Sequence, residues 1–235
     1  MIGSYWRRLM KNKLLVLLCA AIFCSCTRVY VDTKPNIPFD SFVQIKVKRY
    51  KANCITCVLE TGFGSGTVVG PNKVLTAGHI CAGVRAMVDN AAQSEVLDKV
   101  LVTIHDDNEN TYAAIELNIH PSSDICLMKT DRSLLADPIP IAFGNPSRGK
   151  VVWSMMAPDG VSGPGLTPVV SGHFAGGDSL TSVFTIPAYP GSSGAPILNI
   201  SGEIIGLVSQ INKSFHHIVV SPSRKSLQSF VVSSD

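Results

Sequence analysis

The sequence predicts an all-β fold, and three observations support it. Residues 42–48 alternate apolar and polar side chains, as do parts of the segment 112–119, which is typical of strands with one buried face. Residues 68–69 and 100–104 are rich in β-branched side chains. Gly, Pro, Asn and Asp separate these short segments. Repeated short strands between turn residues indicate a sandwich or a barrel rather than a parallel α/β sheet.

The composition allows a sizeable core. The chain has 235 residues, of which 46% are hydrophobic and 16% charged. That is enough apolar surface for one large β domain or two small ones, and it excludes disorder as a description of the whole chain.

The first 26 residues are predicted to be a signal peptide. A basic start precedes an apolar run at 14–24, which suits the core of a leader and is short for a membrane span. Two processing routes stay open. Residues 23–26 resemble a lipobox, in which Cys26 is lipidated and attaches the protein to a membrane, whereas ordinary signal peptidase would cut near Ser25. Both predict an exported protein, periplasmic or extracellular.

The formal net charge of +3 comes from this leader. Its basic residues are Arg7, Arg8, Lys11 and Lys13. Without these four, 16 basic residues face 17 acidic ones. The charge balance therefore gives no reason to expect nucleic-acid binding.

One helix is predicted, at the C-terminus. Ser221 is a suitable N-cap and Pro222 suits the first helical position. Leu227, Phe230 and Val231 then form an apolar stripe at i, i+3 and i+4.

Three segments carry candidate chemistry. They read Leu-Thr-Ala-Gly-His at 75–79, Ser-Ser-Asp-Ile-Cys-Leu at 122–127 and Pro-Gly-Ser-Ser-Gly-Ala-Pro at 190–196. Each alone has an ordinary explanation as a turn, a cap or a surface histidine. Together they place a histidine, an aspartate and a serine in the order that one class of serine hydrolase uses, whereas α/β-hydrolases and subtilisin-like enzymes use other orders.

These segments resemble the signature of the trypsin-like (chymotrypsin-fold) serine peptidases, and 190–196 is closest to their bacterial HtrA-like branch. Weaker similarity continues at 64–67 and 202–209. The resemblance implies two six-stranded antiparallel β-barrels, at 27–135 and 136–235, with a closing C-terminal helix and an active site in the cleft between them. It leaves no room in this chain for the PDZ domain that many HtrA-like enzymes carry.

The resemblance also implies residue roles. Ser193 is the expected nucleophile, His79 its base, and Asp124 the group that orients the imidazole. The amides of Gly191 and Ser193 are expected to form the oxyanion hole. Ser209 matches a serine that supports the aspartate in this family.

Some positions of this sequence differ from those of the animal digestive enzymes of this family, and the differences bear on specificity and activation. Pro187 stands at the expected floor of the specificity pocket and Ile211 at its entrance, which predicts a small, uncharged pocket. In the competing hypothesis His216 or His217 turns inward and accepts an acidic residue, as in glutamyl endopeptidases. Ser192 replaces an aspartate that pairs with a newly cut N-terminus, so activation through that ion pair is not expected.

Four cysteines follow the leader, in a compartment that permits disulfides. The resemblance implies a disulfide at Cys81, with Cys54 or Cys57 as the candidate partner. Cys126 is expected to be a buried free thiol. The Cys54-x-x-Cys57 spacing also occurs in zinc and redox sites, but no second pair completes a four-ligand set.

These observations predict an exported serine endopeptidase that acts on proteins or peptides and needs neither metal nor cofactor. The alternative is a catalytically inert homologue that binds peptides or partner proteins in the same cleft. Intact histidine, aspartate and serine positions argue against that alternative, because a binding module does not need them.

Overall fold

A closed barrel of six antiparallel strands forms the first half of the computed structural model, which describes residues 34–54, 56–93, 98–212 and 214–234. The predicted leader, 1–26, lies outside these ranges. The strands follow the order β1-β2-β3-β6-β5-β4 around the barrel. Their bounds are Phe42–Tyr50 (β1), Val58–Gly70 (β2), Lys73–Thr76 (β3), Lys99–Asp106 (β4), Thr111–Ile119 (β5) and Cys126–Thr130 (β6).

The alternation in β1 explains how this barrel packs. Val43, Ile45 and Val47 are buried in the core of the barrel. Phe42 belongs instead to a second apolar cluster, which joins the barrel to the rest of the fold and includes Leu207. One strand therefore contributes to two cores, because successive side chains point to opposite faces.

The second half is a curled antiparallel sheet with the order β11-β10-β7-β8-β9-β13-β12. Its strands are Val151–Met155 (β7), Val169–Gly177 (β8), Thr181–Thr185 (β9), Pro196–Leu198 (β10), Ile204–Leu207 (β11), Gln210–Ile211 (β12) and Val219–Pro222 (β13). The edge strands β11 and β12 are separated by only two residues, so one run of chain pairs with β10 at its start and with β13 at its end. If this run is counted as one strand, the second sheet has the six strands that were predicted. The predicted all-β, chymotrypsin-like class is confirmed.

The C-terminal helix is present, although it begins later than predicted. Helix α2 spans Arg224–Ser233, and its N-cap is Ser223, whose side chain accepts a hydrogen bond from the Ser226 amide. The prediction of Ser221 as N-cap was wrong, because Ser221 and Pro222 end strand β13. The Ser221 hydroxyl accepts from the Leu207 amide instead and so links two strands.

A second helix, α1 at Gly78–Ala92, was not predicted. Its first residue is a glycine and its N-cap residue, Ala77, has no side-chain acceptor, so the usual start signal is missing. Ile80, Val84 and Met87 nevertheless form a stripe that packs on the barrel core. Neither helix of the described residues is long and apolar enough to cross a membrane.

The structure corrects the cysteine pairing. Cys81 in α1 is bonded to Cys126 in β6, so Cys126 is not a free thiol, and Cys54 is bonded to Cys57. The prediction that Cys54 or Cys57 pairs with Cys81 was wrong because α1 lies against β6, with the two α-carbons 6.4 Å apart. A loop as long as that between Cys81 and Cys126 is worth about 4 kcal/mol in the chain-entropy model, and the short loop at Cys54 about 2 kcal/mol.

Candidate active site

The predicted site residues come from both halves of the fold. His79 is the second residue of α1, and Asp124 lies in the turn before β6. Ser209 lies between β11 and β12, and Ser193 lies in the turn before β10. The site is therefore assembled from the start of one helix and three separate connections.

His79 and Asp124 form a direct hydrogen-bonded pair. His79 Nδ1 lies 2.9 Å from Asp124 Oδ2, and the two side chains are 46% and 22% exposed. An ionised carboxylate only accepts hydrogen bonds, so Nδ1 is the donor. In the neutral ring this leaves Nε2 as the acceptor, which is the tautomer a general base needs.

Asp124 also acts as the missing cap of α1. The backbone amide of His79 donates to Asp124 Oδ1 at 2.6 Å. An N-cap side chain usually accepts from this position, the second of the helix, and Ala77 has none to offer. The carboxylate also lies at the positive end of the helix dipole. The same group therefore fixes the backbone and the ring of His79.

The pKa of Asp124 lies below its usual value. Partial burial raises this pKa, but hydrogen bonds from His79 and Ser209 and the electrostatic attraction of the His79 ring together outweigh burial. The Ser209 hydroxyl donates to Oδ2, the same oxygen that accepts from the His79 ring. The predicted contact of Ser209 with the aspartate is present.

Two glycines allow the segments to approach closely. A Cβ on Gly78 would lie 2.9 Å from the Ile125 amide and 3.0 Å from Asp124 Oδ1. Gly194 has a φ of +85°, and a Cβ there would collide with the Thr76 hydroxyl at the end of β3. The turn that holds Ser193 thus packs on the strand that leads to His79.

Only one of the two adjacent serines in this turn is accessible. Ser192 is fully buried, and its hydroxyl donates to the Met156 sulfur and accepts from the Tyr189 amide. Ser193 is half-buried. Of these two hydroxyls, only that of Ser193 can meet a substrate.

The amides of the turn are of two kinds. Those of Ser192, Gly194 and Ala195 donate to backbone carbonyls at 2.7–2.9 Å. Those of Gly191 and Ser193 have no acceptor among the described residues. Two unpaired amides two residues apart are free to bind a negatively charged oxygen.

The structure also identifies a contact residue, Ser65, for which no role was predicted. The amide of Ser65 in β2 donates to the Ser193 carbonyl at 2.8 Å, and its hydroxyl donates to the Gly191 carbonyl at 2.9 Å. The signal for it was the Gly-Ser-Gly at 64–66, which belonged to the weaker part of the resemblance.

Pro187 and Ile211, the predicted pocket residues, are both half-buried. Ile211 packs against the core of the second sheet, and Ala188, the neighbour of Pro187, belongs to that core. The structure thus places apolar side chains against Ile211, and it places Pro187 next in the chain to a core residue.

The two histidines considered for acid recognition differ in position. The His216 carbonyl accepts from the Ala188 amide at 3.1 Å, and its ring lies 5.4 Å from that of Tyr189. The His217 ring lies against Phe215. Of the two, His216 is the one beside the predicted pocket segment. The described residues contain no group of three side chains suited to a metal ion.

Comparison with known proteins agrees with this geometry. The model of the trypsin-like peptidase domain family matches residues 64–207. No curated protein sequence matches the chain. The active form of the Rv3671c protease from M. tuberculosis is similar in fold, with a TM-score of 0.61 at 17% identity over 82% of this chain and 79% of that one.

Two further solved structures share the fold. The serine endoprotease from Yersinia pestis has a TM-score of 0.61 at 17% identity, covering 84% of this chain and 63% of that one. The HtrA-type protease AlgW, solved with a tripeptide, has a TM-score of 0.60 at 16% identity, covering 81% and 58%. The region covered contains no PDZ domain. At these identities the likeness shows the fold alone.

The low pKa of Asp124 predicts an acid-dependent loss of stability. A carboxyl whose pKa is depressed on folding stabilises the native state fully above its unfolded pKa of about 3.8 and loses that contribution as pH falls through the folded pKa. We expect Asp124→Asn to flatten the acid limb of a plot of unfolding free energy against pH, and Ser209→Ala to flatten it less. Urea unfolding from pH 6 down to about pH 2.5 measures both. An acid limb as steep in Asp124→Asn as in the wild type would contradict this account.

Proposed function

This chain belongs to the trypsin-like peptidase domain family, and on that premise we propose that it is a serine endopeptidase acting through His79, Asp124 and Ser193. One observation carries the proposal. The His79 ring is fixed through Nδ1 by Asp124, while the turn that exposes Ser193 leaves the Gly191 and Ser193 amides without an acceptor in the described part of the chain. A base, a nucleophile and an anion site are the three parts that acyl transfer needs.

The proposed reaction follows from these parts. Ser193 Oγ attacks the carbonyl carbon of the scissile peptide bond while His79 Nε2 takes its proton. The carbonyl oxygen becomes an oxyanion and accepts hydrogen bonds from the Gly191 and Ser193 amides. His79 then gives the proton to the leaving nitrogen, the C–N bond breaks, and an acyl-enzyme remains.

Water completes the cycle. It attacks the ester carbon while His79 takes one of its protons, and the collapse of the second tetrahedral intermediate returns a proton to Ser193. Asp124 stays ionised throughout, and its charge stabilises the imidazolium that forms twice in each turnover. Its low pKa supports that role.

The first prediction identifies the nucleophile. Ser193→Ala should lower turnover of a peptide substrate by roughly 10⁴ to 10⁶-fold while leaving folding unchanged, since only the hydroxyl is removed. A fluorophosphonate probe should label the wild-type protein, and peptide mapping should place the adduct on Ser193 rather than Ser192. The matched control is Ser201→Ala, which removes the hydroxyl of an exposed serine and should behave as wild type.

Two outcomes would count against the enzyme. Turnover by Ser193→Ala within about tenfold of the wild type would refute the nucleophile. A folded wild-type protein that neither turns over nor takes the label would favour the inert peptide-binding homologue.

The second prediction concerns specificity. With Pro187 at the floor and Ile211 at the entrance, we propose a small, uncharged pocket that favours Ala, Val or Leu on the acyl side of the cut bond. Burying a Lys or Arg charge there without a partner is costly, so both are expected to be rejected. Profiling a peptide library measures this preference.

The competing hypothesis, recognition of an acidic residue by a histidine, is tested with a different variant. If His216 accepts an acidic residue, the library will show cutting after Glu, and His216→Ala will remove that cutting while His217→Ala, its matched control, will not. Predominant cutting after Lys or Arg would contradict both hypotheses.

The third prediction concerns export. We propose that the leader is removed on export by one of two routes: cleavage before a lipidated Cys26, which then becomes the first residue, or cleavage near Ser25 by ordinary signal peptidase. Mass spectrometry of the mature N-terminus distinguishes the routes, because a lipidated Cys26 is the first residue of its product and has an added acyl mass. A cytoplasmic protein that retains residues 1–26 would contradict export.

A further inference from the structure

Ser65 is a fully buried serine of the first barrel, and all its polar atoms are engaged at the candidate site. Its amide donates to the Ser193 carbonyl at 2.8 Å, and its hydroxyl donates to the Gly191 carbonyl at 2.9 Å. The same hydroxyl accepts from the Ala157 amide at 3.0 Å. Its carbonyl accepts from the Thr76 hydroxyl at 2.7 Å. One residue therefore joins β3, the nucleophile turn and the segment that follows β7.

Along the turn, the peptide groups that Ser65 binds alternate with those whose amides form the proposed oxyanion hole. The turn at 190–194 contains four successive peptide groups. Ser65 holds the carbonyls of the second and the fourth, those of Gly191 and Ser193. The first and the third peptide groups bear the two unpaired amides.

The carbonyls of the first and third peptide groups are bound by residues other than Ser65. The Asp159 amide donates to the Pro190 carbonyl at 2.7 Å, and the Ala195 amide donates to the Ser192 carbonyl at 2.9 Å. In a planar trans peptide the N–H points opposite to the C=O. Each of these bonds therefore holds the carbonyl of one peptide group, so that the N–H of the same group, a proposed oxyanion donor, points in the opposite direction.

Ser65 also supports the segment whose Asp159 amide binds the Pro190 carbonyl. Asp159 has a φ of +49°, a left-handed conformation that a non-glycine residue adopts only where its surroundings hold it. It lies two residues after Ala157, whose amide is bound by the Ser65 hydroxyl. Loss of that hydroxyl would release both the Gly191 carbonyl and the start of the segment that holds Pro190.

The turn at 190–194 has no charged side chain that could hold these peptide groups in place. Ser192 is uncharged, and among the described residues its hydroxyl is hydrogen-bonded to the Met156 sulfur and the Tyr189 amide. We infer that Ser65 is a positioning residue, which from the first barrel fixes the peptide groups that aim the Gly191 and Ser193 amides at the oxyanion. The inference rests on the proposed peptidase function.

The test removes the hydroxyl and keeps the backbone. Ser65→Ala should lower kcat on a peptide substrate by about tenfold to hundredfold with little change in KM, because the hole acts on the transition state rather than on the bound substrate. A peptidyl trifluoromethyl ketone, whose carbonyl carbon bonds to Ser193 Oγ and whose oxygen becomes the oxyanion, should lose affinity by a similar factor. A merely structural role would not move these two quantities together.

The matched control is Thr67→Val in the same strand. Thr67 is also buried, and its hydroxyl donates to the Ser41 carbonyl, away from the nucleophile turn. Its loss should lower the free energy of unfolding by an amount comparable to that of Ser65→Ala, because each variant removes one buried hydrogen bond, while kcat and inhibitor affinity stay at wild-type values.

The outcomes separate this inference from the proposed function. If the wild type turns over substrate and folded Ser65→Ala has kcat within about twofold of it, or if Thr67→Val loses kcat equally, the positioning role is refuted and the peptidase stands. If the wild type has no activity, the proposed function itself fails. Should Ser65→Ala not fold, Ser65→Gly, which also removes the hydroxyl and keeps the backbone contacts, gives the same comparison; a kcat within about twofold of the wild type there would again refute the role.

Discussion

The half-buried carboxylate of Asp124 is the group on which the site depends. It accepts hydrogen bonds from the amide and ring of His79, which belong to the first half of the fold, and from the hydroxyl of Ser209, which belongs to the second. A partly desolvated charge is unfavourable unless such donors surround it. The aspartate therefore needs both halves in place, and His79 needs the aspartate for its tautomer and its helix start.

The apolar layer between the two halves holds these donors in register. It includes Phe42 from the first barrel, Leu198 and Leu207 from the second sheet, and Phe230 from α2. Because such a core is close-packed, small displacements of one sheet against the other are resisted. A hydrogen-bonded site that crosses from one sheet to the other can keep its geometry only on a boundary of this kind.

The sequence predicted the strands, the closing helix and the three segments that meet, because each has a local signature. It could not predict what depends on residues distant in the chain. Helix α1 was missed since its cap is supplied by Asp124, 45 residues after His79. Cys126 was assigned wrongly because pairing with Cys81 requires knowing that α1 lies against β6. Ser65 attracted no role because its partners are 126 and 128 residues away. Even the local cap of α2 was misplaced, since Ser221 and Ser223 fit the same pattern.

The disulfide between Cys81 and Cys126 determines what a single proteolytic cut can separate. The two cysteines close a covalent ring, and every peptide bond of β4 and β5 lies inside it. His79 lies two residues before Cys81, and Asp124 lies two residues before Cys126. A single cut there, for example in the connection at 107–110, divides the polypeptide into two fragments but leaves them one molecule. The fragment with the histidine stays tethered to the fragment with the aspartate and Ser193, so a nick of this kind need not disperse the site.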